Sequence, residues 1–121
     1  MEKSKLMVYG GWALKVVAGL AFLAAGLAKL AGVDQMVLVF DQVGFGQWFR
    51  YVTGLIEVVG AVLLFVPGRA IYGAGLLICT MIGAVLTHLF LIGGSAVPAL
   101  VLLIICAAIA WLHRDQMPGT A

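Results

Sequence analysis

The chain has 121 residues, enough for one domain. Hydrophobic residues make up 64% and charged residues 10%, against about 25% charged in a soluble domain, and the mean hydropathy is +1.19. That balance excludes a soluble globular protein and requires an all-α integral membrane one. The net charge of +2, with no basic cluster, excludes nucleic acid as a partner.

The chain opens on a short, partly polar stretch with Glu2, Lys3 and Lys5. The apolar run after it is too long for a signal-peptide core and ends in no cleavage motif, so the stretch reads as a retained cytoplasmic tail. The first predicted span covers residues 12–31, a length that matches a hydrocarbon core of about 30 Å. At about 100° per residue, Gly11, Lys15, Ala18, Phe22, Ala25, Gly26 and Lys29 share one face. Its small residues read as a helix-packing surface. Phe22 is either plain packing or the wall of a pocket below Lys29. Lys15, near the inner end, is expected to snorkel to the headgroups. Lys29 can do the same at the outer end, or turn inward.

Residues 33–43 are too short and too polar to span. Asp34, Gln35, Asp41 and Gln42 flank a Met-Val-Leu-Val-Phe core, which predicts an amphipathic interfacial segment, or a lid over the bundle's outer end. Gly44-Phe45-Gly46 marks a turn. The second span is predicted over residues 47–65, stopped by Pro67-Gly68. Arg50, Thr53, Gly54, Glu57, Gly60 and Ala61 share a face there. A carboxylate such as Glu57 within hydrocarbon is costly and marks a site with a partner or a water-lined cavity. Arg50 lies two turns earlier, about 10 Å along the axis, and is expected at the interface, where it makes the entrance positive.

The third span is predicted over residues 70–92. His88 shares a face with Leu77, Met81 and Ala84, and Cys79 points to the opposite side. Cys79 and Cys106 form no C-x-x-C, so a redox dithiol is absent and both read as packing residues. No metal-ligand cluster is evident. The fourth span is predicted over residues 96–113, with Pro98 tolerated in its first turn, His113 at the inner interface and a polar tail beyond. Lys3, Lys5, Arg69 and Arg114 fall on one side, which places both termini in the cytoplasm.

Three stretches carry a resemblance: Gly19-Leu-Ala-Phe-Leu-Ala-Ala-Gly-Leu-Ala-Lys29-Leu, Gly54-Leu-Ile-Glu57-Val-Val-Gly60-Ala-Val-Leu-Leu and Gly83-Ala-Val-Leu-Thr-His88-Leu. With them the chain resembles the DoxX family of small membrane proteins over about residues 12–113. The resemblance implies a four-helix bundle in the bacterial inner membrane. The family name is tied to a small subunit of thiosulfate:quinone oxidoreductase, and other members are associated with oxidative stress and sulfur metabolism. This chain has no evident site for flavin, haem or an iron–sulfur cluster.

The expectation is a single membrane domain: a four-span bundle with an interfacial segment between helices 1 and 2, in which Lys29, Glu57 and His88 converge. A pocket with few polar groups in an apolar bundle suits a small lipophilic molecule, and a quinone fits that chemistry. Lys29 or protonated His88 would donate to its carbonyl oxygens. Glu57 and His88, as catalytic residues, would relay protons. Arg50, Thr53 and Met81 complete the expected ligand-binding set. No metal and no covalent cofactor is expected. The partners expected are membrane lipid, a redox protein supplying electrons, and a second copy of the chain. Two other readings use the same residues: a non-catalytic anchor or assembly subunit whose polar cluster ties helices together, and a small proton-coupled transporter.

Overall fold

A computed structural model describes residues 2–116, with side chains from residue 5 onward. Every regular element among the described residues is helical. In chain order these are α1 (Glu2–Ala31), α2 (Asp34–Val43), α3 (Trp48–Leu64), α4 (Ala70–Thr87) and α5 (Val97–Leu112). A π-helical turn, His88–Ile92, continues α4, and a 3₁₀ turn, Arg114–Gln116, follows α5. Helices are what these apolar tracts require, because a helix satisfies its own backbone where no water reaches.

α1 begins ten residues earlier than the predicted first span, at Glu2 rather than residue 12. No proline separates the polar start from the apolar run, and helix propagates through Gly10-Gly11. Its 30 residues extend roughly 45 Å, longer than a hydrocarbon core of about 30 Å. Lys5–Ala31 and Ala70–Ile92 are each long and apolar enough to cross a membrane. α2 and α3 pass that test only as one broken span, bent by 115°, and Val97–Leu112 is a shorter apolar helix. The four helices expected from the sequence are therefore present, but α3 and α5, with 17 and 16 residues, are shorter than the ~20 residues of a full span. The cause is punctuation. Gly44-Phe45-Gly46 and Pro67-Gly68 bound α3, and Pro98 sets the start of α5.

α3 packs against α1 on one side and α4 on the other; α4 packs on α5, and α5 returns to α1. Two glycine crossings hold α3 in place. A Cβ on Gly26 would lie 2.8 Å from the Gly54 carbonyl, and one on Gly54 would lie 2.9 Å from the Gly26 carbonyl. The second crossing is tighter: a Cβ on Gly73 would lie 2.6 Å from the Gly60 carbonyl. Only hydrogen fits at these points, which is how small residues let apolar helices approach without a hydrophobic driving force between them. Phe22, Leu64, Leu77, Cys106 and Ile109 are fully buried between the helices. Phe22 is thus core packing.

α2 lies across the end of this assembly. It stops at Gly44, whose left-handed backbone (φ 87°) lets its N–H donate to the Phe40 carbonyl at 3.2 Å. Phe40 and Val43 are buried, and the Phe40 ring meets Phe49 of α3 edge-on at 5.9 Å. The Gln47 side-chain amide donates to the Val37 carbonyl (3.0 Å) and to Asp41 Oδ1 (2.9 Å). α2 also contacts the π turn and α1. It caps that end of the bundle, as an amphipathic segment with one buried side.

Candidate functional site

Glu57 sits three residues after Gly54 and three before Gly60, within one turn of both glycine crossings. Of the α3 residues that the sequence places on one face, Arg50, Gly54, Glu57, Gly60 and Ala61 are buried, Thr53 is only partly so, and Leu64 joins them. The Glu57 carboxylate therefore has to meet a neighbouring helix. At the first crossing the α1 backbone is so close that Lys29 Cβ would lie 2.9 Å from a Cβ on Gly54. From there the lysine stem turns inward. Lys29 Nζ lies 2.8 Å from Glu57 Oε1, with side-chain exposures of 14% and 3%. Of the two courses open to Lys29, the structure takes the inward one.

The contact has the distance of an ion pair, but Glu57 Oε1, sealed from solvent, has no hydrogen-bond partner in good angular geometry among the described residues. At this separation two unit charges attract by about 6 kcal/mol if the effective dielectric constant is about 20. Removing them from water costs several kcal/mol for each ion. The terms offset each other, so the pair contributes little net stability.

Arg50 is buried within the protein. It is 5% exposed, with Nε donating to Gln47 Oε1 at 2.8 Å, Nη1 donating to the Lys29 carbonyl, and its guanidinium 4.2 Å from the centre of the Tyr51 ring. The Lys29 carbonyl belongs to the last turn of α1, where it also accepts from the Gly32 N–H at 3.2 Å, and a cation there complements the helix dipole. Gly32 leaves room for the guanidinium: a Cβ there would come within 3.1 Å of Nη1. A continuous polar line thus runs from the α2 backbone through Gln47 and Arg50 to Lys29 and Glu57. Gln47 is not among the residues expected at the site. Its signal in the sequence is the three-residue spacing to Arg50, which puts both on one side of a helix start.

The other expected residues stand apart. His88 opens the π turn, and its Nδ1 lies 2.9 Å from the Gly93 carbonyl, so that nitrogen carries the proton and Nε2 is left over. Among the described residues no hydrogen bond or ion pair joins His88 to Lys29 or Glu57. The register explains the gap. Gly60 packs against Gly73 and Leu77, so His88 lies well over 10 Å beyond Glu57 along α4, at about 1.5 Å per residue. The Thr53 hydroxyl donates to the Phe49 carbonyl of its own helix at 2.8 Å. Met81 belongs to the apolar core. Cys79 is exposed and Cys106 buried, and among the described residues no group of three His, Cys, Asp or Glu is arranged to hold a metal.

Apolar helices joined by glycine crossings, with a buried lysine–carboxylate pair between the first and third, define a helical membrane protein. The chain belongs to the DoxX-like family, which matches residues 13–112. It is also similar to a Bacillus subtilis (strain 168) protein named "Putative oxidoreductase CatD", with 34% identity over 85 residues, covering 69% of this chain and 63% of that one. The chain thus spans less than two thirds of that relative's length. No solved structure matches it.

Proposed function

We propose that this chain is a four-span protein of the bacterial inner membrane, both termini cytoplasmic, that binds a quinone beside Lys29 and Glu57 as a subunit or partner of a membrane oxidoreductase. The observation that carries the reading is the buried Lys29–Glu57 pair, in which Glu57 Oε1 faces the Lys29 ammonium at 2.8 Å. A carboxylate buried among apolar helices is expensive for a purely structural residue and useful for one that receives a hydroxyl proton. Lys29 has three N–H donors and can reach a carbonyl oxygen while still facing Glu57. The donor set therefore fits a quinone: Lys29 for the oxidised carbonyl, Glu57 for the reduced hydroxyl.

A bound quinone supplies two-electron chemistry coupled to two protons. The residues of this chain bind, orient and exchange protons; the electrons come from a redox protein partner. α2 closes the outer end, with positive-φ glycines, Gly32 and Gly44, at its two ends. His88, on the π turn that packs against α2, serves proton exchange at that mouth rather than direct contact with Glu57. The oxidoreductase name of the Bacillus subtilis relative favours redox chemistry over transport.

A second reading has its own support. The pair lies within a turn of both glycine crossings, where a charge pair fixes the register of α1 on α3. The chain is then an anchor or assembly subunit. Quinone titration of the purified protein separates the two. In a variant retaining Trp48 as the sole tryptophan, a quinone is expected to quench emission saturably, with weaker binding in Glu57→Gln. Equal, non-saturating quenching in both proteins means partitioning into the micelle and leaves the structural reading.

A further inference from the structure

A second lysine with a buried stem lies at the other end of α1. Lys15, expected at the headgroups, is only 8% exposed, and its Nζ lies 3.9 Å from the centre of the Trp12 ring. Among the described residues no carboxylate, carbonyl or hydroxyl accepts from it. Glu2 shares its helix but lies roughly 20 Å away along the axis. Lys29 and Glu57 are farther along in the opposite direction.

The ammonium borders an open groove of about 400 Å³ between α1 and the end of α5, lined by Met7, Val8, Trp12, Lys15, Leu112 and His113. Gly11 forms the floor, where a Cβ would make ordinary contact with Leu112 at 3.5 Å and with the His113 ring at 4.0 Å. His113 is oriented by its own helix, with Nδ1–H donating to the Ile109 carbonyl at 2.9 Å, which leaves Nε2 of the neutral ring as an acceptor for a hydroxyl of a headgroup. One wall of the groove is thus cationic and polar, and the other is apolar.

We infer that this groove holds an anionic phospholipid, with the headgroup phosphate on Lys15 Nζ beside His113 and an acyl chain along Met7, Val8 and Leu112. An ammonium that opens on the groove with only a ring face for company is free to take an anion. The apolar wall requires a hydrocarbon chain attached to it, which a free phosphate lacks. The position agrees: the groove is at the end that carries Lys5, Arg69 and Arg114, and basic pockets between helices on the cytoplasmic side are where anionic headgroups bind. Trp12, half exposed beside the ammonium, is the amphipathic ring that membrane interfaces favour. This site is independent of the quinone reading.

The test uses the full chain, purified and delipidated in a non-ionic detergent. Phosphatidylglycerol and phosphatidylcholine with the same acyl chains are titrated separately, and bound lipid is counted by native mass spectrometry. Wild type is expected to retain phosphatidylglycerol over phosphatidylcholine by about fivefold or more, the ratio that corresponds to about 1 kcal/mol for one basic residue at an anionic surface. The preference persists in Lys15→Arg and disappears in Lys15→Met. Should Lys15→Met not fold, Trp12 emission in a Trp48→Phe/Trp111→Phe protein takes its place, shifting with phosphatidylglycerol and not with phosphatidylcholine. Equal retention of the two lipids, or an unchanged preference in a folded Lys15→Met, overturns the inference. So does displacement of phosphatidylglycerol by millimolar inorganic phosphate, which would reassign the groove to a soluble anion.

Discussion

Gly54→Ala is the substitution on which the close packing of α1 and α3 can be judged most directly. The new methyl would lie 2.9 Å from the Gly26 carbonyl oxygen, 2.9 Å from Lys29 Cβ and 3.2 Å from Leu30. Two of these atoms are held by the α1 backbone, so relief comes only from moving α1 away from α3. Overpacking of this kind costs about 1–3 kcal/mol. Against it stands the helix preference for alanine over glycine, about 1 kcal/mol. Gly83→Ala supplies the reference, because Gly83 is also helical and a Cβ there meets nothing within 4 Å. The propensity gain is common to both variants, so the difference between them reads the steric part alone. Gly54→Ala should be less stable than Gly83→Ala by about 1–3 kcal/mol. The assay is unfolding in mixed micelles of dodecyl maltoside and dodecyl sulfate, followed by far-ultraviolet circular dichroism. If the two variants unfold within about 0.5 kcal/mol of each other, the scatter of a neutral surface change, the close crossing of α1 and α3 is refuted.

Two further predictions concern the polar line. Lys29→Met leaves Glu57 buried without its partner and is expected to cost about 3–5 kcal/mol, whereas the double variant Lys29→Met/Glu57→Met should recover most of that loss in the same unfolding assay. A double variant no more stable than the single one would mean that the pair contributes net stability after all. Arg50→Lys keeps the charge but loses the fork that reaches Gln47 and the Lys29 carbonyl together. A loss of about 1.5–3 kcal/mol is expected, the worth of a hydrogen bond to a charged group. Amide exchange in the last turn of α1 should quicken in the same variant, and unchanged exchange there would separate Arg50 from that helix end.

The class of the protein is legible in its amino acids alone. A chain with so few charges and so many apolar residues can satisfy its backbone only as helices in a membrane. The glycine and proline turns then set where those helices stop, to within a residue or two. Helical periodicity also places Arg50, Gly54, Glu57, Gly60 and Ala61 on one buried face of α3, because a face shared at about 100° per residue is a property of the helix alone. What periodicity cannot supply is which helix a face meets, or at what height. Lys29 has two courses open to it in the linear chain, and the Gly26–Gly54 crossing chooses the one toward Glu57 by bringing the α1 backbone against α3. His88 is on a plausible face, but the Gly60–Gly73 crossing sets α4 in a register that leaves it far beyond Glu57. Arg50 and Lys15 look like interfacial cations in a linear sequence, since long basic side chains ordinarily reach for water. Their burial depends on neighbours from other parts of the chain. The last turn of α1 offers a carbonyl to Arg50, and the end of α5 closes a groove beside Lys15. Composition and period fix what each helix is, whereas contact between helices depends on where glycine lets two backbones touch, and that is decided only in three dimensions.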